Sequence, residues 1–140
     1  MKKKIEVRQS SIDNRGVFAT DEISKGERVV QYTGRRLTKA QANRSESLYL
    51  FDLNSKVTID GRNIARYINH SCDPNCEADV IKGEIWISAL RDIKPGEELA
   101  YNYHYDYEEG LQFPCRCGHR RCAGYIMAPE EWDRLKKKSK

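Results

Sequence analysis

Three groups of residues have types and spacings suited to chemistry. The first is Cys115-Arg116-Cys117-Gly118-His119-Arg120-Arg121-Cys122, three thiols in a C-x-C-x4-C arrangement. Thiolates this close suit a tetrahedral zinc ion, and a closed structural site takes four ligands. The fourth must come from elsewhere, and the residue types leave Cys72, Cys76 and His119 as candidates. The second group is the loop Arg66-Tyr67-Ile68-Asn69-His70-Ser71-Cys72-Asp73-Pro74-Asn75-Cys76. Asn and Asp beside Pro mark a turn, but a turn does not require His70. By composition alone, Asn69 and Asn75 would satisfy their own backbone and His70 would be a buried, hydrogen-bonded side chain. The third group is the run Tyr101-Asn102-Tyr103-His104-Tyr105-Asp106-Tyr107. Read as a strand, its period of two sets four tyrosines on one face, where a line of phenols can wall a narrow channel for an aliphatic stem ending in an amine.

The elements that must position these groups are short and mostly β. Arg28 to Tyr32, Tyr49 to Leu53 and Val57 to Ile59 are β-rich stretches separated by turn residues. Glu77 to Ile81 and Glu84 to Ala89 flank Lys82-Gly83, a two-residue hairpin turn, and Pro95-Gly96 precedes a strand from Leu99 to Tyr103. Two helices are expected, one over Lys39 to Ser47 behind a Thr38 cap and one after Pro129, where acids lead and lysines trail.

A chain of 140 residues suits one domain with one core. No run of about 18 apolar residues is present, and Met1-Lys2-Lys3-Lys4 leads straight into Ile5-Glu6-Val7 without a signal-peptide core, so the chain reads as soluble and not exported. The net charge of +4 arises at the ends, where Lys2, Lys3, Lys4, Lys136, Lys137, Lys138 and Lys140 lie; without these seven, 18 basic side chains face 21 acidic ones, a net of −3. Such a body favours a cationic peptide over a nucleic acid, and solvated ends are the plainer reading of the lysine runs. Five cysteines at these spacings suit metal ligation better than a disulfide framework, which implies a reducing, intracellular compartment, be it nucleus, cytoplasm or a foreign host cell.

Several motifs in order resemble those of the SET-domain protein-lysine methyltransferases. Arg15-Gly16-Val17-Phe18-Ala19 is similar to the N-terminal glycine motif of that family, Asn69-His70-Ser71-Cys72-Asp73-Pro74-Asn75 to its central pseudoknot motif, and Gly96-Glu97-Glu98-Leu99-Ala100-Tyr101-Asn102-Tyr103 to its C-terminal one. Cys115 to Gly124 resembles the post-SET zinc segment. The resemblance implies a mostly β fold of small sheets with a pseudoknot, a few short helices and a zinc-bound C-terminal segment. It implies a SET domain over residues 1–109, a post-SET segment over 110–128 and a basic helix or tail over 129–140. No cysteine-rich segment precedes the domain, so a minimal, free-standing member is expected.

The same resemblance implies roles for individual residues. S-adenosylmethionine would be held by Asn69 and His70, by the backbone of Arg15, Gly16 and Val17, and by Tyr32 and Tyr103. Tyr103 would be the catalytic tyrosine, Tyr49 would line the lysine channel, and Tyr101 sits where the family chooses between Phe and Tyr, a tyrosine favouring mono- or dimethylation. Cys72 would join Cys115, Cys117 and Cys122 around one zinc, leaving Cys76 as a free thiol. Two positions depart from the pattern: Asn14 stands where a glycine is common, and Arg35 where many members have Glu. Asn tolerates left-handed geometry, so the turn is expected to survive. The implied substrate is a lysine of a histone tail or another basic protein, with no membrane partner and no direct contact with nucleic acid. The competing readings are a catalytically silent, zinc-stabilised peptide-binding module and nucleic-acid binding through the lysine ends.

Overall fold

Left-handed residues punctuate the chain and set where its strands begin and end. Asn14 (φ 42°) leads into the second strand, Lys82 (φ 50°) and Gly83 (φ 77°) form the expected hairpin turn, and His104 (φ 56°) breaks the tyrosine run. The computed structural model describes residues 4–12, 14–105, 107–115, 117 and 122–134. The lysines at both ends, apart from Lys4, and His119 as a candidate ligand lie outside the described residues.

Along the chain run β1 (Ile5–Gln9), β2 (Arg15–Ala19), β3 (Arg28–Tyr32), β4 (Gly34–Thr38), α1 (Lys39–Arg44), β5 (Leu50–Asp52) and β6 (Val57–Gly61). A 3-10 turn at Ile64–Tyr67 follows, then β7 (Asn69–His70), β8 (Cys76–Ile81), β9 (Glu84–Ala89), β10 (Glu98–Tyr101), the one-turn α2 (Tyr107–Gly110) and a 3-10 turn at Pro129–Glu131. The strands form three small sheets, ordered β1-β2-β10-β7, β3-β9-β8 and β4-β6-β5. All pairs are antiparallel except β7 with β10, where Asn69 lies beside Ala100 and His70 beside Tyr101. Among the described residues no helix is long and apolar enough to cross a membrane.

Apolar side chains from all three sheets meet in one core. Val17 and Leu99 pair across β2 and β10, and both are fully buried along with Ile23, Ile68, Ile85, Ile87 and Ile93. Each such side chain contributes about 1.5–3 kcal/mol by leaving water. Asn75, also buried, does not satisfy its own loop. Its Nδ2 donates to the Glu98 carbonyl and its Oδ1 accepts from the Ala100 N–H, both at 2.9 Å, so one side chain serves as a strand partner for β10.

Two expected elements end early, each for a local reason. Thr38 and Gln41 form a reciprocal capping box for α1, but the helix stops at Arg44. Beyond it the hydroxyls take over: Ser45 Oγ accepts from Ser47 N–H and Ser47 Oγ donates to Asp60, so side chains compete with further helical turns. The strand expected to continue through the tyrosines ends at Tyr101. Asn102 Oδ1 accepts the His104 N–H at 2.7 Å, which turns the chain, and Tyr107 opens α2. After the turn at Pro129, residues 132–134 continue in helical conformation.

Candidate active site and metal centre

The tyrosines remain neighbours although the strand is lost, because the turn at His104 curls them into a stack. Ring centroids lie 5.0 Å apart for Tyr101–Tyr103 and 5.7 Å for Tyr103–Tyr105, and Phe113 continues the series 5.5 Å from Tyr105. Tyr107 is not part of it; its ring is buried beneath the Arg134 guanidinium, 4.2 Å away. The stack lines a cavity of about 770 Å³ that also takes in Tyr32, Phe51, Arg66 and Glu109. Burial raises the Tyr101 phenol far above its ordinary value and, with the Asp60 carboxylate adding, does the same for Tyr32. Tyr105 is raised by burial and then by Glu109. These walls therefore stay uncharged near neutral pH.

Tyr103 is held at two points. Its backbone N–H donates to His70 Nδ1 at 3.0 Å and its hydroxyl donates to the Ile68 carbonyl at 2.5 Å. The polar loop and the end of β10 are thereby joined across more than thirty residues. A ring nitrogen that accepts a backbone N–H carries no proton, so His70 is neutral in this geometry. Burial favours the same state, pushing His70 down to about 4, with His104 as a smaller cause.

Asn69 binds elsewhere in the same neighbourhood. Its Nδ2 lies 2.9 Å from the Arg15 carbonyl, 2.9 Å from Glu98 Oε2 and 3.2 Å from Ser10 Oγ. Arg15 turns its guanidinium over the Tyr67 ring at 5.8 Å. Val17 presents only backbone here, since its side chain is fully buried in the core. A Cβ at Gly16 would stand 2.2 Å from Glu98 Oε2, so the carboxylate would have to shift to admit any larger residue. Tyr32 sits on the channel side, its hydroxyl donating to the Tyr49 carbonyl at 2.5 Å and its ring 5.2 Å from Phe51. The Tyr49 ring packs edge-on against Tyr67 at 5.9 Å, with Arg66 over both.

Ser10, Glu98 and Phe51 also neighbour the site, although none was among the residues expected there. Glu98 lies inside a quoted motif and Phe51 two residues from Tyr49, so both had a signal. Ser10 had none, being 59 residues from Asn69 and 88 from Glu98.

The Sγ atoms of Cys72, Cys115, Cys117 and Cys122 lie within 4.8 Å of one another and could hold a metal ion. Cys72 is 3.8 Å from Cys115 and 3.9 Å from Cys122, close to the roughly 3.8 Å edge of a tetrahedron with metal–sulfur bonds of about 2.3 Å. Backbone N–H groups of Ala123 and Gly124 point at Cys72 and Cys122, each at 3.4 Å, as suits thiolate ligands. Burial, with Cys122 and Cys117 adding, pushes the Cys72 thiol up to about 11. Cys76 stays apart in the core, where burial pushes its thiol up to about 12. The cluster holds the C-terminal segment against the site: Cys72 Sγ is 3.6 Å from His70 Nε2, and Ala128 N–H donates to the Tyr105 carbonyl at 2.8 Å.

With this geometry in view, the comparisons with known proteins fall into place. The chain is 38% identical over 143 residues to a histone-lysine N-methyltransferase, H3 lysine-4 specific, of Saccharomyces cerevisiae, covering 89% of this chain and 13% of that protein. It is 39% identical over 141 residues to the protein of the same description from Schizosaccharomyces pombe, covering 89% and 15%. To histone-lysine N-methyltransferase trithorax of Drosophila virilis it is 35% identical over 137 residues, covering 87% and 4%. The chain thus spans at most about a seventh of the length of these relatives. The family model of the SET domain matches residues 14–104, the stretch that runs from Asn14 before β2 past β10 and Tyr103, and the chain belongs to the SET-domain family.

Proposed function

We propose that this chain is a protein-lysine N-methyltransferase that takes its methyl group from S-adenosylmethionine. The observation that carries the proposal is the double anchoring of Tyr103 to His70 and Ile68 beside a cavity lined in part by Tyr32, Phe51, Tyr101, Tyr105 and Phe113. S-adenosylmethionine supplies a methyl group already activated by its sulfonium. The residues present fit a cationic donor: His70 is neutral, and the Asn69 amide lies beside the Arg15 carbonyl and the Glu98 carboxylate, a neighbourhood of acceptors suited to an ammonium group. Asn69, His70 and the Arg15–Val17 backbone would hold it.

The chain's remaining task is to present an uncharged amine. Free lysine has a pKa of about 10.4, so only about one molecule in a thousand is nucleophilic at neutral pH. An aromatic wall of Tyr101, Tyr103, Tyr105 and Phe51 penalises the ammonium where it displaces water and moves that balance toward the amine. The Tyr103 hydrogen is given to Ile68, so its oxygen can only accept from what lies in the cavity. Tyr103 therefore orients the amine and the methyl in transit without acting as a base, and alignment supplies most of the acceleration. Tyr101, packed against Tyr103, leaves room for one or two methyl groups on the amine.

One zinc held by Cys72, Cys115, Cys117 and Cys122 would fasten residues 110–128 over the cavity. The substrate would be a lysine in a histone or another basic protein, met in a reducing compartment where thiolates persist. Incubation with labelled S-adenosylmethionine and histone H3, alongside a panel of basic proteins, tests this; transfer mapped to a lysine is expected. No transfer and no donor affinity at millimolar concentration, measured on zinc-loaded protein, would end the proposal.

A further inference from the structure

The two ring nitrogens of His70 face different parts of the molecule. We infer that His70 is a positioning residue joining the metal centre to Tyr103: its Nε2–H donates to the metal-bound thiolate of Cys72 while its Nδ1 holds the Tyr103 backbone. The inference rests on zinc occupying the four-cysteine cluster, as the proposed function has it, and gives that cluster a second task besides fastening the C-terminal segment.

The place of the ring hydrogen follows from its partners. A backbone N–H can only donate, so His70 Nδ1, 3.0 Å from the Tyr103 nitrogen, accepts. A neutral imidazole carries one N–H, which must then be on Nε2. Nε2 lies 3.6 Å from Cys72 Sγ, within hydrogen-bond reach of a sulfur. Turning the ring over would set carbon atoms at both places and lose both contacts. His70 is 3% exposed and Cys72 7%, so water does not readily stand in for either partner.

A thiolate at Cys72 needs such donors. Four thiolates around one divalent ion carry a net charge of about −2, and Cys72 is the buried member of the four. Its sulfur already accepts from the Ala123 N–H at 3.4 Å, and His70 supplies a second hydrogen. Partners of this kind, outside the ligand set, orient the ligands, and their loss typically lowers metal affinity about 10–100-fold.

The same bond reaches the cavity. β7 runs parallel to β10 with His70 beside Tyr101, and the imidazole reaches past it to the Tyr103 backbone. A hydrogen engaged by Cys72 cannot move to Nδ1, where it would face the Tyr103 N–H and cost both groups their partner. An occupied metal site therefore keeps the tautomer that anchors Tyr103 beside the cavity.

The test uses the full chain loaded with zinc. Long-range nitrogen–proton NMR spectra of the wild-type protein read the tautomer directly: the hydrogen on Nε2 of His70 is expected, and a hydrogen on Nδ1 overturns the inference whether or not any variant folds. Two substitutions then separate the nitrogens. His70→Gln has an amide nitrogen that reaches the place of Nε2, and His70→Asn an amide oxygen near the place of Nδ1. Competition with a chromophoric chelator gives the zinc affinity of each without any methyl transfer. His70→Asn should hold zinc about tenfold more weakly or worse, and His70→Gln within about threefold of wild type. A folded His70→Asn protein with zinc affinity within about twofold of wild type would overturn the inference, as would a His70→Gln protein as weak as His70→Asn. Wild-type protein that binds no zinc would overturn the metal centre and this inference together. The expected tautomer and zinc affinities in a protein that transfers no methyl group would uphold the inference and remove only the proposed activity.

Discussion

Replacing Asn75 by alanine should lower stability more than any contact at the surface of this chain could. The substitution deletes two hydrogen bonds of 2.9 Å and leaves the Glu98 carbonyl and the Ala100 N–H facing an apolar gap. Ala100 is 5% exposed and Asn75 itself 5%, so water does not readily replace the lost partner. Stranding a buried polar group costs about 1–3 kcal/mol, hence about 2–6 kcal/mol for the pair. Against a typical domain stability of about 5–15 kcal/mol this is a large share. An unfolding entropy of about 2.1 cal/mol/K per residue gives about 0.3 kcal/mol/K for the chain, so Tm should fall by about 7–20 °C. Scanning calorimetry of zinc-loaded protein, with urea titration as a second measure, reads this directly. Asn75→Asp should be at least as damaging, since it keeps the acceptor for Ala100 but sets a charge against the Glu98 carbonyl. A Tm change below about 2 °C in Asn75→Ala, with the urea m-value unchanged, would refute the assignment of Asn75 as strand partner of β10.

Three further outcomes are expected. Tyr103→Phe removes the hydroxyl at Ile68 and should cut turnover by about 100-fold or more while Tm moves little; labelled-methyl assays beside a melting curve check both. Tyr101→Phe should let the product carry an additional methyl group, which mass spectra of the modified peptide would reveal and an unchanged methylation state would disprove. Chelation should release one zinc per chain and loosen the C-terminal segment, with a cost on the order of 10 kcal/mol to that corner alone. Hydrogen exchange should then speed up at Ala123 and Gly124 while the β8–β9 hairpin stays protected, and native mass spectra lacking zinc before chelation would contradict the site.

Local chemistry made much of this architecture readable. The Lys82-Gly83 turn, the Thr38 cap and the left-handed Asn14 follow from residue type, and each is found where expected. The four-cysteine cluster was legible because three members are close in sequence and the choice of a fourth was narrow. Failures share one cause, competition from side chains. A period of two is not enough to keep Tyr101 to Tyr107 extended when Asn102 captures the His104 N–H, and helical spacing does not carry α1 past Ser45 when serine hydroxyls bind nearby. The proposed donor site was half legible: Asn69 and His70 stand in a dense polar loop, whereas Ser10 meets them only through tertiary structure.

The sheet order β1-β2-β10-β7 puts the last of the described strands in an interior place, between partners that precede it by about thirty and eighty residues. During synthesis β2 and β7 must therefore wait, each with an open edge, until Glu98–Tyr101 has emerged. Such edges invite pairing with other nascent chains, so prematurely ended products should aggregate in place of lingering as inactive domains. Assembly of the proposed catalytic residues is consequently a late event, completed in a single closing step.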